Sequence, residues 1–530
     1  MYAIKIVLIV TFGIYVNICA DDPRGVYFDK VYGSENSCIE FDSKTRLISI
    51  SCKSARISDI DKQLNNSSIL KKESLDYTSN QFSSINGVQH KNDVWLLNAG
   101  IIIERNSTLT IDSTDTDWLK IVPVATVQLS SESKIKEQEP NNSISLQSNM
   151  SRISNDSNNN SNTYVSIPDL NTNYRNASIN DQTETVIVTS KNNNNNPNGI
   201  HVLGSLKIDS VKITSWDPKK NDVIEFNLGK RPGEEGTKSE YDTVEPRPFI
   251  RVSNKASGTT NITNSELAYL GYSCSKCSGL SYYGGIGSLI GGNDIHHLLK
   301  GFYSNKMGYM IIENNSFHDN YLYGIDPHTG THDMIIRGNN IHHNNATAVV
   351  CSKDCYNILI EGNEVHNNLD GHRGIAFSKN SDHSIARNNY VHDQDICIGL
   401  NRLSDYNKVQ NNTLSNCNIG IDLTNTSNNI VSENKIVGAR DALMIQDVTN
   451  KVFNNEIYNS TNGIVITLAP NHGDLNSTNN IAYYAGKVNI SNVIKNTNNS
   501  LVFISNVVNT DGELEQADFE NNIELTDDDD

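Results

Sequence analysis

A chain of 530 residues with 43 Lys plus Arg against 61 Asp plus Glu carries a formal charge of −18. That balance excludes a general nucleic-acid binder, which needs a basic surface, and any polyanionic partner must be met by a local cationic patch. Hydrophobic residues make up 37%, low for a thick compact core but adequate for a thin stack of coils.

In chain order, Met1 to Ala20 reads as a secretory signal: Lys5 supplies positive charge, Ile6 to Val16 a short apolar core, and Ala20 a cleavage point. The segment is too short for a stable membrane span. The protein is therefore expected to be secreted, or placed at the cell surface or in the periplasm. Residues 21–93 form a β-rich region without a repeat. Val94 to Ile103 and Leu109-Thr110-Ile111 read as the first coils of a stack predicted over 94–468. Within it, 130–197 is rich in Asn and Ser with few aromatics, and is expected to be a disordered insertion. Residues 469–530 are expected to cap the stack and to end in the solvated acidic run Asp527 to Asp530.

Between Met310 and Tyr458 one phrase recurs: an apolar pair, a small polar pair ending in Asn, then another apolar residue. Copies centre on Asn315, Asn339, Asn363, Asn389, Asn412, Asn434 and Asn455, at spacings of 24, 24, 26, 23, 22 and 21. Strand-length apolar runs repeating at that period, with Asn/Gly turns, predict an all-β solenoid, a parallel β-helix of about 20–26-residue coils. In Met334-Ile335-Ile336-Arg337-Gly338-Asn339-Asn340-Ile341-His342, the branched residues favour strands, and Gly338 with the Asn residues tolerates a left-handed turn. Asn residues stacked coil on coil would satisfy each other's amides.

Without Cys19, eight cysteines remain: Cys38, Cys52, Cys274, Cys277, Cys351, Cys355, Cys397 and Cys417. An even number in an exported chain points to disulfides, with Cys397 and Cys417 about one coil apart. The close pairs Cys274/Cys277 and Cys351/Cys355 could also suggest zinc, but they lie far apart in the chain. Asn-X-Ser/Thr sequons such as Asn261, Asn345 and Asn425 permit glycosylation.

Eleven of the 14 histidines fall between His296 and His392, on the coils that carry Tyr323-Gly324-Ile325-Asp326-Pro327-His328. With Ser265 to Tyr272 and Gly301-Phe302-Tyr303, that run resembles the periplasmic alginate-modifying mannuronan C5-epimerases over roughly 200–468. The resemblance implies a right-handed parallel β-helix acting on a linear anionic polysaccharide. It also implies His328 as catalytic base, Asp326 as the motif's acid that orients His328 or binds sugar hydroxyls, and Lys353 as the cation facing the uronate carboxylate. Tyr323 is the candidate acid for the opposite sugar face if the chain bends at Gly324; in a regular strand it would be a core residue. Lys306, His372, Arg373 and Lys379 are candidates for binding neighbouring carboxylates. Two departures stand out: Thr329 follows His328 where the family has a second acid, and Lys353 stands where it has an arginine, which alone could grip a carboxylate bidentately.

C5 epimerisation needs a carboxylate-neutralising cation, a base on one face and an acid on the other. A polyuronate lyase shares the first step, and a non-catalytic glycan-binding β-helix remains a third reading. No tight ligand spacing marks a metal site and no cofactor is expected, although acid-rich turns could hold calcium. A monomer is expected.

Overall fold

The structure, a computed structural model, describes residues 37–73, 93–123, 198–225, 246–273, 276–284, 287–369, 371–446, 449–467, 488–491 and 507–509. The signal-like segment, the insertion at 130–197 and most of 469–530 lie outside the described residues.

The coils are parallel and built from three strands. Ile311–Glu313, Ser316–His318 and Ile325–His328 make one coil; His332–Arg337, Asn340–His342 and Val349–Ser352 make the next. Register is kept from coil to coil, with Ile312 over Ile336, Phe317 over Ile341 and Ile325 over Val349. All six are fully buried, in a hydrophobic core that runs without a break from Ile39 to Ile464. The first-strand wall is a 12-stranded parallel sheet from Ala55–Arg56 to Lys451–Phe453, so the predicted parallel β-helix is what forms.

The recurring Asn residues do what their spacing implies. Asn293 Nδ2 donates to Asn315 Oδ1, and the same bond repeats through Asn339, Asn363, Asn389, Asn412, Asn434 and Asn455 at 2.9–3.0 Å. Each amide oxygen also accepts the backbone N–H of the previous rung's Asn, so turn groups shut away from water are paired. The residue before each ladder Asn takes positive φ, which explains the Gly or Asn found at Gly338, Gly362, Asn388 and Asn411. A second ladder at the next corner, Asn320 to Asn344 to Asn368, was not read from the sequence.

At the N-terminal end, Ile39–Asp42 pairs antiparallel with Leu47–Ile50, which in turn stacks parallel on Gly100–Ile103. Helix α1, Ile57–Leu64, buries Ile57, Ile60 and Leu64 there. At the other end, Val488–Ser491 and Val507–Asn509 continue the parallel stacking on Asn462–Thr467 and Glu456–Tyr458.

Cys38 is bonded to Cys52, and Cys397 to Cys417 on the adjacent coil. The disulfide reading fails for Cys351 and Cys355, which are free and buried. Cys351 fills a fully buried core position, and Cys355 Sγ lies 3.4 Å from the carbonyls of Pro327 and Ser352. Burial pushes both thiols up, Cys355 to about 12, so neither is a ready thiolate.

Candidate active site

The chemistry-bearing residues sit on the outer face of the third strand and on the turn that follows it. Within Ile325–His328 alternation holds: Ile325 is in the core, while Asp326 and His328 share the outer face. Their columns are Tyr303 under Asp326 and Asn305 under His328. Above His328 come Ser352, Ser378 and Asn401, and above Asp326's position come Val350, Ala376 and Gly399. Small polar residues thus continue the His328 column along the stack, while in the neighbouring column Gly399 is covered by the side chain of Arg373.

Alternation breaks just before the strand. A Cβ on Gly324 would meet Ala348 O and Ile341 Cγ2 at 2.7 Å, so Gly324 faces inward, as does its neighbour Ile325. Two inward residues in succession leave Tyr323 outside the main core, partly buried against Leu299, Tyr321 and Leu322. The bend on which its candidacy depended is present.

Lys300, which sequence reasoning missed, organises this end of the site. Its Nζ is 2.8 Å from Asp326 Oδ2, with side-chain exposures of 9% and 1%. It also lies 4.6 Å from the ring of Tyr303 and 5.2 Å from that of Tyr323. The Tyr303 ring stands 5.6 Å from the imidazole of His328. The other oxygen of Asp326, Oδ1, is buried and accepts no hydrogen bond. Losing the cation would strand a buried carboxylate, so the pair fixes the geometry around Asp326.

His328 is half-buried, and its Nδ1 is 2.5 Å from Thr329 Oγ1. The residue that replaces the expected second acid is therefore the one that orients the imidazole; with Nδ1–H donating, the Nε2 lone pair is left open. Burial lowers the pKa of His328, the positive charges of Lys300, Lys379 and Lys353 lower it further, and Asp326 opposes them. The imidazole is thus neutral near pH 7 and can accept a proton.

The turn after the third strand repeats a cation. Backbone hydrogen bonds stack Lys306, Thr329, Lys353, Lys379 and Arg402 one above another, and all five have positive φ. Among the described residues none of the four cations has an ion-pair partner. Lys306, Lys353 and Lys379 were expected from the sequence; Arg402 was missed, because only the register shows that it continues the column. Successive members are one strand spacing apart, roughly 4.8 Å.

The other two candidates fall elsewhere. Arg373 opens the strand Arg373–Ser378 and is held by Asp422, Nη2 to Oδ2 3.1 Å. Its side chain crosses Gly399, where an added Cβ would stand 2.5 Å from Arg373 Cδ. His372 precedes it in the turn, seven residues before Lys379, on the order of 20 Å along an extended strand. Neither belongs to the cation column.

Residues 250–401 match the family described as right handed beta helix region. A stretch of 142 residues, 24% of this chain, is 28% identical to the mannuronan C5-epimerase of Pseudomonas putida and covers 24% of that protein. The chain thus spans about a quarter of the curated relative it matches. The crystal structure of the periplasmic alginate epimerase AlgG aligns over 87% of this chain and 85% of its own, at 16% identity and a TM-score of 0.50. A double mutant of AlgG gives 0.51 over the same shares. At that identity the likeness is one of fold, and the chain resembles the alginate epimerases as a right-handed parallel β-helix.

Proposed function

We propose that this chain is an exported polysaccharide-modifying enzyme that epimerises C5 of uronate residues in a linear, mannuronan-like polymer. The observation that carries the proposal is the column Lys306, Lys353, Lys379 and Arg402, which flanks the neutral, Thr329-oriented imidazole of His328. A polyuronate offers one carboxylate per sugar, and an unpaired cation at nearly every coil suits such a ligand. The sequence match to a mannuronan C5-epimerase supports the substrate class.

In this reading Lys353 neutralises the carboxylate of the reacting sugar, which makes the C5 proton removable. His328 Nε2 takes that proton as the C5–H bond breaks, and the electron pair spreads into the carboxylate. A proton delivered to the opposite face re-forms C5–H with inverted configuration, and Tyr323, turned outward by Gly324, is its proposed source. The buried Lys300–Asp326 pair positions the tyrosines, with Lys300 against the rings of Tyr303 and Tyr323. An exported or periplasmic location fits a polysaccharide substrate, and no helix among the described residues is long and apolar enough to cross a membrane.

The test is proton NMR of polymannuronate incubated with the protein in heavy water. Deuterium at C5 together with guluronate signals is expected. Absence of both would eliminate the reading for that polymer. Unsaturated chain ends absorbing in the ultraviolet, without inversion, would assign a lyase instead.

A further inference from the structure

A second titratable column runs along a different corner of the coil, outside the site described above. His296, His318, His342, His366 and His392 occupy equivalent positions on five successive coils. Their rings stack at 4.9, 5.0, 5.0 and 4.8 Å between centroids, tilted by no more than 13°. The stack ends at His392, because Ser415 takes the next position.

The first two rungs close on carboxylates, and His342 Nδ1 meets the imidazole of His343 at 2.8 Å. His318 has a carboxylate on each nitrogen, Asp294 at 2.8 Å and Asp319 at 2.7 Å. His296 meets Glu266, which is already engaged by Lys212 at 2.7 Å. The last two rungs differ. His392 Nδ1 is 2.7 Å from Asp393 Oδ2, and Asp393 is itself held by Asn416. Its Nε2 is buried and makes no hydrogen bond; the nearest carboxylate oxygen, Glu364 Oε1, is 3.5 Å away. Two ligands of one tetrahedral ion at about 2.1 Å stand roughly 3.4 Å apart, so that gap is ion-sized. His366 Nε2 has only a neutral, long contact to Asn340 Oδ1 at 3.2 Å, which a metal could displace.

We propose that Glu364, His366 and His392 bind one divalent transition-metal ion of zinc(II) type. Their donor atoms already lie within 4.8 Å of one another. Two imidazoles and a carboxylate suit a borderline ion better than calcium, which prefers an all-oxygen shell. Asp393 acts as the carboxylate behind the ligand: with Nδ1–H donating to it, the Nε2 lone pair of His392 points at the ion. Glu364 and His366 lie on one coil and His392 on the next, so the ion joins two coils at the end of the histidine stack.

The proposal is tested by calorimetric titration of the chelator-stripped full chain with zinc chloride alone and, separately, calcium chloride, with thermal melts in parallel. One zinc per chain and a higher melting temperature with zinc are expected, and calcium should do neither. Glu364→Gln changes a half-exposed side chain, so the fold should survive; it should weaken zinc binding about tenfold or more. Asp393→Asn should weaken it by about tenfold, whereas His318→Gln, two coils away, should leave it unchanged. No saturable zinc binding, unchanged affinity in Glu364→Gln, equal loss in His318→Gln, or a preference for calcium would each overturn the site.

Discussion

Two corners of the same coil repeat a titratable side chain, and they treat its charge in opposite ways. At the histidine corner the charge is mostly resolved within the protein. Asp294 and Asp319 outweigh burial and raise the pKa of His318, while burial, then the neighbouring His318, His366 and His343, push His342 down to about 4. Stacked imidazoles one strand spacing apart cannot all be protonated, so neutral and charged rungs sit side by side. At the lysine corner the charge is left open, since Lys306, Lys353, Lys379 and Arg402 have no acidic partner among the described residues. The first arrangement serves the stack itself. The second leaves a row of positive charge, on a protein of net charge −18, that only an outside anion can match.

The sharpest way to break this contrast is at His328, where His328→Gln should lower the rate of C5 exchange by about 10²–10⁴-fold while circular dichroism stays that of the wild type. A parallel loss of folded structure would show that the imidazole is a structural part. Next in size is a change at neither corner. Asn363→Ala removes a ladder amide and leaves the Asn339 backbone N–H and one of its side-chain amide N–H groups buried without their acceptor, which should cost about 3 kcal/mol in denaturant unfolding. A loss below about 0.5 kcal/mol would mean that the ladder is not structural.

Smaller effects separate the corners. Lys379→Ala with Arg402→Ala should raise KM for polymannuronate several-fold and flatten its dependence on salt, with the melting temperature unchanged, because these cations hold nothing within the protein. A fall in melting temperature with KM unchanged would reverse their assignment. The smallest effects concern pH. The depressed pKa of His328 places the acid limb of activity below the ordinary histidine value of about 6.5, and Lys353→Ala should move that limb upward. His342 is also depressed, so its neutral form contributes stability above about pH 6.5 that is lost as pH falls toward 4. His342→Gln should therefore reduce the acid-side fall in melting temperature; an unchanged fall would place the titration elsewhere.

The stack was legible because its restraints repeat: branched strand residues, a left-handed turn residue and a buried Asn recur within each coil. The histidine column could be read as a spacing, but its chemistry could not, since the partners of each ring lie one residue on and one coil back. Lys300 escaped because its pairing with Asp326 spans 26 residues and depends on register. Arg402 escaped for the same reason, lacking any motif of its own. Arg373 looked like a free cation because Asp422 lies 49 residues further on, two coils up and across Gly399. Alternation alone left Tyr323 between the core and the outer face; the inward turn of Gly324 puts it outside the main core, against Leu299, Tyr321 and Leu322.

A crystal structure of the His328→Gln variant with a mannuronate oligomer would test the central claim most directly. The expected result is an oligomer lying along the stack over Ser352 and Ser378, with successive carboxylates at Lys353, Lys379 and Arg402 and one C5 beside residue 328. An oligomer bound on another wall, or none bound at millimolar concentration, would contradict it.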